Sequence, residues 1–236
     1  MSTLIFDIET LGEEFDSLDQ TTQEVLTHWI KKEAGGKEEY TEALAELKDG
    51  LGFSPLTGEI IAIGVLDYAK DQGVVYFQAP DAGLTEFSED GIVFKPMAEK
   101  EMLQHFWKGA VQYQEFVSFN GRGFDVPFLM VRSAVHGIRP SKNLMSNRYV
   151  SSQDFSARHV DLLDQLSFYG ASRRKGNLHL WSRAFGIKSP KAEGITGDDV
   201  GHLFREKKFI DIAHYNVGDL RATKELYTYW RNYLSF

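Results

Sequence analysis

The sequence predicts an α/β fold, a mixed sheet flanked by helices, with a helical hairpin inserted after the first strand. Three observations carry this. A short apolar run opens the chain at residues 3–8, apolar positions recur at helical spacing between residues 13 and 50, and strand-like and helix-like patterns alternate thereafter.

The opening run, Thr3-Leu4-Ile5-Phe6-Asp7-Ile8, stops at Gly12 and reads as a largely buried strand. In the next stretch Val25, Leu26, Trp29 and Ile30 form one apolar set and Tyr40, Leu44, Leu47 and Leu51 a second, divided by Gly35-Gly36. Two helices follow from that spacing. The hairpin is strongly acidic, which suits an exposed outer layer and does not suit a surface that grips a nucleic acid directly. After a turn at 55–58, the runs 59–68 and 73–79 have strand character, and Asp71-Gln72-Gly73 joins them as an antiparallel hairpin. Residues 97–110 read as helix, 115–119 as strand and 124–136 as helix; a loop-like stretch at 137–157 precedes His159-Val160-Asp161-Leu162-Leu163. Helices are expected at 177–185, 198–206 and 209–233. No repeat or domain boundary is visible, so 1–236 reads as one domain with 13–51 as its helical insertion.

Composition narrows the function classes. Hydrophobic residues make up 42% and aromatics 13% of 236 residues, outside the disordered regime. Cysteine is absent, which excludes disulfides and thiolate metal sites, so any metal must sit on oxygen or imidazole. The seven histidines are scattered, none at H-x-x-x-H spacing, which argues against zinc. The start of the chain reaches Asp7 before any signal-peptide core can form, and no apolar run is long enough to span a bilayer, so a cytoplasmic protein without membrane contact is expected. The net charge of −8 hides an asymmetry: residues 120–191 hold twelve basic residues against four acids, a net of +8, leaving −16 for the rest. A basic surface there is either solvated or a phosphate-binding face.

Three acidic motifs stand out. In Phe6-Asp7-Ile8-Glu9-Thr10, carboxylates at i and i+2 of a strand face one side. Such a pair is repelled and desolvated unless a cation joins it, although an acidic strand end facing solvent has the same spacing. Hard oxygen ligands suit Mg2+ or Mn2+. In Asn120-Gly121-Arg122-Gly123-Phe124-Asp125, Asp125 falls at a helix start, where the dipole favours a carboxylate, as it does for a plain N-cap. In His214-Tyr215-Asn216-Val217-Gly218-Asp219, Tyr215 and Asp219 share a helix face, as would an ordinary surface pair.

In their order and contexts, FDIET, FNGRGFDVPFL and YNVGDLRAT make the sequence resemble the DEDD superfamily of 3′-to-5′ exonucleases, which has an RNase H-like fold. It is most similar to the proofreading exonuclease domains of family B DNA polymerases and their stand-alone relatives. The resemblance implies an RNase H-like mixed five-stranded sheet. It also implies two divalent cations, Mg2+ or Mn2+, about 4 Å apart, which activate water and stabilise the leaving 3′ oxygen. Asp7 would bridge both, Glu9 and Asp219 would hold the cation carrying the attacking water, and Asp125 would support the second, through water.

In that family a Tyr four residues, or a His five residues, before the last Asp orients the water. Tyr215 and His214 satisfy both spacings, and helix geometry puts Tyr215 roughly 40° and His214 roughly 140° from Asp219, so Tyr215 is the choice if the helix includes both. By the same resemblance Thr10, Asn120, Phe124 and Lys175 would contact the terminal nucleotides. Phe124 as core, Asn120 as a turn residue and Lys175 as a solvated loop lysine fit the residues equally. Asp161 reads as a structural carboxylate. The implied partner is a single-stranded 3′ end, DNA over RNA. No polymerase domain follows in the chain, which leaves a separate polymerase as a possible partner. An RNA exonuclease and a catalytically silent nucleic-acid-binding module are the alternatives.

Overall fold

The structure, a computed structural model, describes residues 1–173, 176–188 and 197–235. Its strands are β1 (Thr3–Gly12), β2 (Gly58–Asp67), β3 (Gln72–Phe77), β4 (Phe87–Glu89), β5 (Ile92–Pro96), β6 (Glu115–Ser118) and β7 (Arg158–Asp161). They form one mixed sheet in the order β4-β5-β3-β2-β1-β6-β7. β1 runs antiparallel to β2 and parallel to β6, so the strand carrying the first acidic motif is central.

Among the described residues the sheet has seven strands where five were expected. The additional pair, β4 and β5, extends the sheet beyond β3, to which β5 pairs in parallel. Asp90 and Gly91, at φ 47° and 79°, make the two-residue loop between them. Phe87 stacks on its cross-strand partner Phe94 at 4.7 Å.

The helices are α1 (Gln20–Glu33), α2 (Lys37–Gly50), α3 (Glu99–Ala110), α4 (Asp125–Val135), α5 (Leu162–Leu166), α6 (Leu178–Ala184), α7 (Val200–Arg205) and α8 (Phe209–Tyr233). The hairpin after β1 forms as its apolar spacing predicts, with Asp19 capping α1 by accepting the Thr22 N–H at 3.1 Å.

The alternation of β1 divides the core. Leu4, Phe6 and Ile8 pack with Met102, Leu103 and Phe106 of α3 and Val126, Phe128 and Leu129 of α4. Ile5 packs on the opposite face, with Ala213, Leu220 and Leu226 of α8. Asp7 and Glu9 share the parity of Ile5, so the pleat turns both carboxylates toward α8. On the other face Glu99 ties β2, α3 and α4 together. It accepts from the Ile60 N–H at 2.8 Å and from Arg132 at 2.9 and 2.7 Å, and it meets His136 at 2.6 Å. Among the described residues no helix is long and apolar enough to cross a membrane.

Candidate metal centre

Asp7, Glu9 and Asp219 converge: each offers a carboxylate oxygen, and these atoms lie within 4.8 Å of one another. Glu9 is buried and the other two are partly so. Three carboxylates at that separation, two of them on one strand, form an all-oxygen donor set of the kind Mg2+ and Mn2+ take.

Two neutral residues make the convergence possible, and neither was assigned a role from sequence. Asn216, fully buried on α8, donates its amide Nδ2 to Asp7 Oδ2 at 2.8 Å and reaches Glu9 Oε1 at 3.4 Å. Its Oδ1 has no hydrogen-bond partner. Opposite Asp7 on β2 stands Gly64, where a Cβ would come within 1.9 Å of that Oδ1. Glycine at this position lets the α8 amide reach the β1 carboxylates. The available signal was spacing: Asn216 lies three residues before Asp219, on the same face of the helix.

Asp125 starts α4 and is not among the three converging residues. Its Oδ1 instead accepts the Ile8 N–H at 3.1 Å. That N–H is free because β6 pairs with β1 only from Thr3 to Ile5, so Asp125 takes the place of the missing ladder and joins the second motif to the first. The loop before it is held by Asp161, whose carboxylate accepts the N–H groups of Asn120 at 3.0 Å and Arg122 at 2.9 Å, and Asn120 sits at φ 62°. The reading of Asp161 as structural agrees with these contacts.

Burial, then mutual repulsion, decides the electrostatics. Desolvation first, and then the charges of Asp125, Asp219 and Glu9, hold the Asp7 carboxyl well above its ordinary range. Desolvation and then Asp219 raise Glu9. Burial, opposed by backbone hydrogen bonds, brings Asp125 to about 7. A raised carboxyl keeps its proton in the folded chain after the unfolded chain has released it. Metal-free stability is therefore expected to fall as pH rises from about 4 toward about 7. Thermal melts in EDTA should show this decline and a shallower one for Asp125→Asn. Mg2+ or Mn2+ should restore stability strongly at pH 7.5 and little at pH 5, where protons compete; equal shifts at both pH values would contradict the assignment.

α8 contains both His214 and Tyr215, so the angular argument applies. Tyr215 is buried, and desolvation followed by the charges of Asp219, Glu9 and Asp7 raises its hydroxyl. His214 faces the sheet edge, edge-on to Phe94 at 5.1 Å and 3.2 Å from Glu89. Of the nucleotide-contact candidates, Thr10 donates its hydroxyl to the Gly52 carbonyl at 2.7 Å. Asn120 is exposed, Phe124 packs on Phe128 at 5.0 Å, and Lys175 lies outside the described residues. Of the twelve basic residues, Arg132, Arg148 and Arg158 face Glu99, Asp164 and Glu115, so part of the basic excess serves internal ion pairs.

The arrangement defines the class: a mixed α/β sheet with an RNase H-like strand order and acidic groups gathered between its central strand and its last helix. Among solved structures, the family B DNA polymerase from the hyperthermophilic archaeon Pyrobaculum calidifontis is similar over 98% of this chain, with a TM-score of 0.59 and 16% identity, a likeness of fold. The chain spans about a quarter of that polymerase, covering 24% of it. The chain belongs to the family described as predicted 3′-5′ exonuclease related to the exonuclease domain of PolB, whose model matches residues 59–234. Asn120 to Asp125 and Tyr215 to Asp219 lie within the match; Asp7, Glu9 and the helical hairpin precede it. No curated protein matches the chain.

Proposed function

We propose that the protein is a metal-dependent 3′-to-5′ exonuclease that shortens single-stranded DNA ends. The observation that carries the reading is the convergence of Asp7, Glu9 and Asp219 within 4.8 Å, in a chain of an exonuclease family. Two divalent cations, when bound, would supply Lewis-acid activation of water and charge stabilisation at the leaving 3′ oxygen. Asp7, Glu9 and Asp219 hold the charge that such cations require, with Asp125 supporting from the α4 side through water. Asn216 holds one oxygen of Asp7 at 2.8 Å and reaches one of Glu9 at 3.4 Å, which leaves the other oxygen of each for a cation. Tyr215, kept protonated by burial and then by its acidic neighbours, orients the attacking water by donating or accepting at its hydroxyl. Phe124 and Asn120 hold the terminal nucleotides, and basic side chains of the 120–191 segment take backbone phosphates.

The test uses 5′-labelled DNA and RNA oligonucleotides with 3′ overhangs, incubated with Mg2+, Mn2+ or EDTA. A metal-dependent ladder shrinking from the 3′ end, faster on DNA, is expected. A ladder on RNA alone would move the assignment to an RNA exonuclease, and binding without cleavage would leave a silent nucleic-acid-binding module. Tyr215→Phe should depress kcat about 10- to 100-fold and His214→Ala less than about threefold, since His214 points to Glu89; the reverse ranking under saturating metal would reject Tyr215 as the orienting group.

A further inference from the structure

Beside the acidic centre lies a cleft of about 1060 Å³ that begins at Glu9 and Thr10 and runs under the end of the helical hairpin. Three phenylalanines line it: Phe15 is buried, and Phe53 and Phe124 face each other. Phe124 comes from the second motif, and Phe53 comes from the 3-10 turn Leu51–Phe53 that closes the hairpin. Their centroids are 6.4 Å apart at 61°. Phe53 is 62% exposed although its backbone is firmly held.

The backbone is held because the turn is bolted to the end of β1. Thr10 donates its hydroxyl to the Gly52 carbonyl at 2.7 Å, Thr57 donates to the Leu51 carbonyl at 2.8 Å, and the Leu51 side chain is buried. Gly12 and Gly52 approach so closely that a Cβ on Gly12 would lie 2.6 Å from the Gly52 nitrogen. The hairpin therefore ends on a rigid mount one residue away from the carboxylate Glu9, with an aromatic ring projecting into open space. The rest of the lining decides what that ring can meet. Among the described residues Glu13, Glu14, Asp16, Glu46 and Asp49 line the cleft, with Lys48 paired to Asp16 and Arg205 to Glu14 as its cations. Such a surface repels phosphate and accepts a neutral, planar group.

We propose that Phe53 is a base-stacking residue: the hairpin insertion sets it beside Phe124 to hold a nucleobase at the 3′ end of the substrate, with the sugar-phosphate backbone kept on the metal side. This deepens the nuclease reading and rests on it. The acidic hairpin then has a task consistent with its charge, since it touches the base and excludes the phosphates. Base–aromatic stacking tolerates any sequence, which suits an enzyme that removes every nucleotide in turn.

The test compares 5′-labelled oligodeoxynucleotides with a normal base, or a tetrahydrofuran abasic residue, at each of the two 3′-terminal positions in turn. For wild type, kcat/KM should favour the base-bearing substrate about tenfold at one of these positions. Phe53→Ala should bring that ratio near one, and Phe53→Tyr should keep it. A base preference unchanged in Phe53→Ala at both positions, or absent from wild type, overturns the proposal while leaving the nuclease reading intact. If no substrate is cut at all, the nuclease reading fails by itself. The same ratios are then read as Kd from fluorescence anisotropy with Ca2+ present, where a preference lost in Phe53→Ala sustains the stacking role and equal Kd values, or no binding, overturn it.

Discussion

Asp7→Asn is expected to lower kcat for 3′-end cleavage by about 10³- to 10⁴-fold while raising the thermal stability of the metal-free protein at neutral pH. Both effects have one origin. Asp7 converges with Glu9 and Asp219 and has its own carboxyl pushed up by burial and by three neighbouring charges. The amide keeps the shape and can still accept from Asn216, so the change removes charge rather than packing. Losing a central anionic ligand forfeits several kcal/mol of the electrostatic stabilisation that cations would supply, and each 1.36 kcal/mol is a factor of ten in rate. Without cations the same charge only repels, so its removal relaxes the fold. Cleavage assays at saturating Mn2+ and melts in EDTA measure the two halves. A variant that lost activity and also melted lower at pH 7.5 would point to misfolding, and one that kept activity would remove Asp7 from the centre.

Gly64→Ala should produce the second largest effect, although Gly64 carries no chemistry. An added Cβ would fall 1.9 Å from Asn216 Oδ1 and 2.7 Å from Leu220 Cδ1, both on α8. Either Asn216 swings out or α8 retreats from β2, and in both cases the amide leaves Asp7 and Glu9. Residues that orient metal ligands are worth about 10- to 100-fold in metal affinity or activity, and overpacking costs about 1–3 kcal/mol of stability. The metal concentration for half-maximal activity should rise accordingly. Because the damage passes through one amide, Gly64→Ala combined with Asn216→Ala should lose little more activity than Asn216→Ala alone. Additive losses in the double variant would show that Gly64 acts by another route.

Much of this was legible in the residue pattern. The apolar run at β1, the two spaced sets of the hairpin and the bounds of α8 all follow from periodicity; β1 and α8 bury continuous faces, whereas α1 buries only Thr27 and Ile30 and α2 buries no residue fully. β4 and β5 were not assigned, although Asp90-Gly91 is a strong two-residue turn signal; β4 is three residues long and largely exposed, which leaves almost no alternation to detect. At the centre, the acidic residue types were visible, but their distances were not. Whether carboxylates from β1 and α8 meet depends on how closely a helix approaches a strand, and Gly64 sets that approach from outside any motif, while Asn216 sets it from inside the third motif without a residue type that announces the role. Thr10 shows the same limit, since its hydroxyl partner Gly52 is defined only by the path of the hairpin.

Asp7 and Glu9 belong to the first strand and Asp219 to the last helix. During synthesis the two strand carboxylates emerge well before Asp219 and wait for α8 to close over them. A nascent chain lacking α8 thus has no means of assembling the three-carboxylate site, whose formation becomes a late step of folding rather than an early one. Long-range closure of this kind is slow to form, and it ties assembly of the acidic site to the docking of α8 on the sheet.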